Sequence, residues 1–97
     1  MQTMNEIRKK IASIKPQITD KYRVKNLFIF GSYATGEQNE SSDLDLLVEF
    51  HETPDLLTFL EMEEFLSQRL QIPVDLVPKR KLKPRLRDRI LQEAIII

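Results

Sequence analysis

Two aspartates separated by a single leucine, Asp43 and Asp45, stand at the head of an apolar run made of Leu44, Leu46, Leu47 and Val48. Such a run reads as an extended strand. Alternate side chains of a strand share a face, so the two carboxylates point the same way, about 6 to 7 Å apart along the chain. Like charges on an otherwise apolar strand repel each other and resist desolvation; a shared proton or a shared cation relieves both. A divalent metal with oxygen ligands is the natural partner. Just upstream, the apolar run Leu27 to Phe30 ends in Gly31-Ser32, a turn that can present backbone N–H groups and a hydroxyl to a phosphate where a helix starts. Each piece has an ordinary structural reading: a strand end at Gly31, a helix cap at Ser32, a turn at Ser41, Ser42 and Asp43. Their conjunction in one stretch, residues 30–48, is what points to a site.

Charge patterning sharpens this. Lys and Arg together number 15, as do Asp and Glu, yet from Asn26 to Gln68 there are ten acids and no Lys or Arg. An acidic centre repels bare phosphate, so a nucleotide binds there only with cations or with bases brought back from the flanks. The nearest supply is Lys79 to Arg89, where seven of eleven residues are Lys or Arg. That segment has no interleaved aromatics, so direct nucleic-acid binding is not expected of it. A solvated helix face is an equally good reading.

With 97 residues, 41% of them apolar and 31% charged, the chain suits one folded domain over 1–97 with a modest core. The lack of cysteine excludes disulfides and thiolate metal sites. The start MQTMNEIRKK has no apolar signal-peptide core, and no run is long enough to cross a bilayer. A cytoplasmic protein without a membrane partner is expected.

Ile7, Ile11, Ile14 and Ile18 recur at helical spacing, which predicts an amphipathic helix over about 4–20. Leu27 to Phe30 reads as a strand buried on both faces and Asp43 to Phe50 as a second strand. Thr53-Pro54 reads as the cap and first residue of a helix reaching about Leu70. Glu61, Glu63 and Glu64 on that helix read as a solvated face, and His51 as a lone histidine without a role. Val74 to Val77 is a short strand interrupted by Asp75. A third carboxylate beside Asp43 and Asp45 would complete an oxygen-ligand cluster or accept a proton from an attacking hydroxyl. Pro84 starts a last helix, and Ile95 to Ile97 is too apolar to leave in water, so it packs on this chain or on another subunit, leaving a homo-oligomer compatible with the sequence.

The string Gly31-Ser32-x-Ala34-x-Gly36, five residues, then Ser42-Asp43-x-Asp45-Leu46-x-Val48 resembles the signature of the minimal nucleotidyltransferases (MNT) of the DNA polymerase beta superfamily, antitoxins that accompany HEPN toxins. The resemblance extends through Val74-Asp75-Leu76 and the ending LKPRLRDRILQEAIII. It implies an α/β (α+β) nucleotidyltransferase fold, a small mixed sheet of about three strands with helices around it, in the order αβαβαβα. It also implies that Gly31 and Ser32 hold the triphosphate of ATP, that Asp43 and Asp45 bind two magnesium ions, and that Asp75 is the third carboxylate. The implied reaction transfers AMP to a tyrosine hydroxyl of a HEPN-type partner toxin. One departure stands out: Thr35 occupies a position where the family commonly has arginine, and threonine cannot pair with phosphate by charge. The competing expectation is a non-catalytic antitoxin that inhibits its partner by binding alone, through the basic segment and the isoleucine tail.

Overall fold

The computed structural model describes residues 2–97. Helix α1, Met4–Tyr22, is capped by Thr3, whose hydroxyl accepts the Glu6 N–H, and it buries Ile7, Ile11, Ile14, Ile18 and Tyr22. It ends where Arg23 turns left-handed at φ 59° and feeds β1, Val24–Phe30. Then follow α2 (Ser32–Thr35), β2 (Leu44–Phe50), α3 (Leu56–Leu70), β3 (Val74–Pro78), a 3-10 turn at Lys79–Lys81, α4 (Pro84–Glu93) and β4 (Ile95–Ile96).

The sheet order is β3-β2-β1-β4. β1 runs antiparallel to β2 and to β4, whereas β2 and β3 are parallel. Parallel neighbours need a crossover, and α3 supplies it. The expected mixed sheet and helix order are therefore present, with one strand more than the three expected. The extra strand is the isoleucine tail: Ile95 and Ile96 pair with Ile29 and Phe28, and the Ile97 N–H donates to the Leu27 carbonyl at 3.0 Å. Ile95 and Ile97 pack against this chain's own core, whereas Ile96 stays 66% exposed.

Strand alternation sorts the sheet into two faces. Leu27, Ile29, Leu44, Leu46, Val48, Val74 and Leu76 join the α1 isoleucines and Met62, Leu66 and Leu70 of α3 in one core. Phe28, Asp45, Leu47, Glu49, Asp75 and Val77 point the other way. There α4 contributes no fully buried residue.

Two sequence expectations for α3 are corrected. Its cap is Asp55, which accepts the Thr58 N–H at 2.8 Å, and not Thr53. An ionised carboxylate satisfies the free N–H groups of a first turn while opposing its positive dipole end, so it outcompetes an upstream hydroxyl. Of its glutamates, Glu61 and Glu64 are exposed as expected, with Glu61 binding Lys21 at 2.8 Å, but Glu63 is half-buried and its Oε2 accepts the Leu76 N–H at 2.8 Å.

Ile11 is wholly buried at the α1–sheet contact, and truncation there removes apolar contact and leaves a cavity. Ile11→Ala is expected to lower unfolding free energy by about 2–5 kcal/mol in urea titrations, with the fold retained.

Candidate active site

The site is assembled by register. β1 pairs Phe30 with Asp45, so the chain leaving β1 at Gly31 passes beside the Asp45 carboxylate. Gly31 has φ 72° and ψ −151°, and a Cβ built on it would overlap Asp45 Oδ2 and lie 3.0 Å from Cγ. Only glycine meets both conditions. Ser32 then opens α2, whose Ala34 and Thr35 N–H groups donate to the Gly31 carbonyl at 3.0 and 3.2 Å. The first N–H groups of any helix lack intrahelical acceptors, so those of Ser32 and Tyr33 remain for other partners.

The return to β2 is a pinned turn. Asn39 Oδ1 accepts from the Ser41 N–H at 2.9 Å and from the Ser41 hydroxyl at 2.7 Å, and the Asn39 N–H donates to Ser42 Oγ at 2.9 Å. Leu44 N–H donates to the Pro73 carbonyl at 2.8 Å, which ties the start of β2 to the approach of β3. As a result Asp45 and Asp75 are direct partners across two parallel strands. Paired residues of neighbouring strands project on the same face. Asp43 precedes β2 instead of opening it, as the sequence pattern suggested, because the pinned turn at 39–42 delays the strand to Leu44.

Asp45 is half-buried, while Asp43 and Asp75 are exposed. The Asp45 carboxyl is held above the usual carboxylate range, chiefly by burial and then by the charges of Asp75 and Asp43. All three aspartates thus act on one small region. Among the described residues the ion pairs are Lys21 with Glu61 and Lys79 with Glu49, so none of the three aspartates has a cationic partner.

Residues 5–97 match the family model of the nucleotidyltransferase domain. The chain belongs to the nucleotidyltransferase-domain family. A protein named protein adenylyltransferase MntA, from Thermococcus cleftensis, is 39% identical over 97 residues, covering 100% of this chain and 98% of the relative. A solved structure provisionally described as a minimal nucleotidyltransferase superposes with a TM-score of 0.83 at 36% identity, covering 97% of this chain and 95% of that one. A crystal structure of a toxin-antitoxin with AMP-PNP superposes with a TM-score of 0.70 at 27% identity, covering 95% of this chain and 69% of that one.

Family members are enzymes that move a nucleotidyl group, and this nucleotidyltransferase has a donor set suited to a hard divalent cation. Asp45 and Asp75 share a face, Asp43 lies just before β2, and none of the three has a cationic partner among the described residues; carboxylate oxygens suit a hard cation better than a metal that prefers sulfur or imidazole. Among the described residues no group of three or more Asp, Glu, His or Cys side chains is placed so that it could hold a metal ion. The basic segment does not come back over the aspartates through Lys79. That ammonium lies 3.7 Å from Glu49 and 5.7 Å from the Phe28 ring centroid, at the far end of the same face. Glu63 and Ser67, which hold the outer side of β3, carried no sequence signal, since helical glutamate and serine are commonplace on solvated faces.

Gly31→Ala is expected to displace Asp45 and to abolish nucleotidyl transfer, at a stability cost of at least about 1 kcal/mol from the left-handed backbone; activity and urea unfolding measured on one preparation check both. Asp45 also makes stability pH-dependent. A carboxyl harder to ionise folded than unfolded favours folding while protonated, a contribution complete below the unfolded-state pKa and lost as pH rises through the folded one. Asp45→Asn should therefore raise the urea midpoint of the metal-free protein at neutral pH. That gain should shrink as pH falls into the ordinary carboxylate range.

Proposed function

We propose that this nucleotidyltransferase transfers AMP from ATP to a tyrosine hydroxyl of a HEPN-type partner toxin and thereby neutralises it. The observation that carries the reading is the pairing of Asp45 with Asp75 beside the close passage of Gly31. Membership of the family, the name of the Thermococcus cleftensis relative and the likeness to a toxin-antitoxin with AMP-PNP support the same class of donor and acceptor.

In this reading Gly31 and Ser32 hold the triphosphate through backbone N–H groups and the serine hydroxyl. Asp43, Asp45 and Asp75 hold the magnesium ions, two in number. When bound, these supply positive charge against the phosphates and the leaving group. Asp75, the exposed member on the edge strand, takes the proton of the attacking hydroxyl. The hydroxyl oxygen forms a bond to the α-phosphorus as the bond to the bridging oxygen breaks, and pyrophosphate departs. Positioning supplies much of the rate, because the displacement needs attacking and leaving oxygens in line.

A protein acceptor suits the surface. Leu56 and Leu57 are 69% and 80% exposed at the start of α3. A cavity of about 250 Å³ joins Leu56, Phe59 and Leu60 to Pro78, Arg80 and Lys81. Pro78 is three residues along β3 from Asp75, or about 10 Å. Exposed apolar surface rimmed by charge is characteristic of protein docking.

Inhibition by binding alone has one observation in its favour. The Thr35 hydroxyl donates to the carbonyls of Gly31 and Ser32, at 3.4 and 3.3 Å, and brings no positive charge to the phosphate side of the turn. The two readings separate cleanly. With ATP labelled on the α-phosphate, magnesium and the partner toxin, label is expected on a toxin tyrosine with the parent chain. The double substitution Asp43→Asn with Asp45→Asn should lose both labelling and neutralisation while remaining folded. Full neutralisation by the double variant at matched expression would overturn the enzymatic account.

A further inference from the structure

β3 lies at the edge of the sheet, with β2 on one side and no strand on the other. Outward N–H groups of an edge strand must find other acceptors or stay with water. Here the Val74 N–H donates to Ser67 Oγ at 3.0 Å and the Leu76 N–H to Glu63 Oε2 at 2.8 Å. The Ser67 hydroxyl in turn donates to the Glu63 carbonyl at 3.0 Å. Glu63 and Ser67 are one helical turn apart, so both reach β3 from the same face of α3. That helix is anchored in the core by the wholly buried Met62, Leu66 and Leu70.

Asp75 is the residue between the two bonded N–H groups. Its inward neighbour across the ladder is Asp45, a like charge. Repulsion between the two carboxylates pushes outward on a strand that has no further strand beyond it. We infer that Glu63 and Ser67 are positioning residues for Asp75, clamping the peptide groups on either side of it so that its carboxylate stays opposite Asp45 for a shared divalent ion. A carboxylate accepting a backbone N–H makes a charge-assisted bond, stronger than the neutral ladder bond it replaces. The inference rests on the proposed role of the aspartates in holding such an ion.

The test uses Mn2+ as the probe, with binding measured by calorimetry and amide exchange at Val74 and Leu76 measured in the metal-free chain. Glu63→Ala is expected to speed exchange at Leu76 and to weaken Mn2+ binding by about 10-fold or more, the usual cost of losing a group that orients a ligand. Glu63→Gln keeps an oxygen acceptor and should recover most of the affinity. Ile11→Ala, destabilising but outside the two hydrogen bonds to β3, should bind Mn2+ like the parent. Should Glu63→Ala not fold, Ser67→Ala takes its place with faster exchange at Val74 and the same direction of change in affinity. Parental Mn2+ affinity in the alanine variant, or no recovery with glutamine, overturns the clamp alone. A parent chain that binds no Mn2+ overturns the reading of the aspartates and the clamp with it.

Discussion

The arrangement turns on a repulsion that the fold maintains. Asp45 and Asp75 face each other across parallel strands, Asp43 adds its charge from the preceding turn, and burial makes Asp45 costly to ionise. No lysine or arginine is paired with any of them among the described residues. Charges placed this way without counter-ions destabilise the empty protein and favour whatever cation enters.

Holding the repulsion needs three separate restraints. Gly31 leaves room for the Asp45 carboxylate where any side chain would occupy it. The turn closed by Asn39 and Ser42, with the Leu44 N–H on the Pro73 carbonyl, brings the two acidic strands together at one end. On the outer side, α3 takes the place of a missing neighbouring strand through Ser67 and Glu63. Behind all three is the core of isoleucine and leucine between α1, α3 and one face of the sheet, whose burial offsets the electrostatic cost.

The two ends of the site-bearing face are chemically opposed. Near the start of β2 it is acidic and unpaired; near its end Lys79 lies between Glu49 and the Phe28 ring. Arg80 and Lys81, which follow Lys79, adjoin the exposed Leu56 and Leu60 of α3. The net charge of zero hides this separation of an acidic end from a basic one.

Local pattern alone determined a good deal. The isoleucine period placed α1, the Gly-Ser step marked the end of β1, and the apolar run after Asp43 marked β2, because these depend only on helical and strand geometry. The family signature followed from the same residues. What tertiary structure decided was everything that depends on a partner distant in the chain. Asp75 gained meaning through its register with Asp45, thirty residues earlier. The isoleucine tail became a strand because β1 offered an unpaired edge, and Glu63 became a backbone acceptor because β3 lay beside α3. A side chain's chemistry is written in its own residue, but which hydrogen bonds and charges it meets is set by packing between segments, and periodicity carries no record of that.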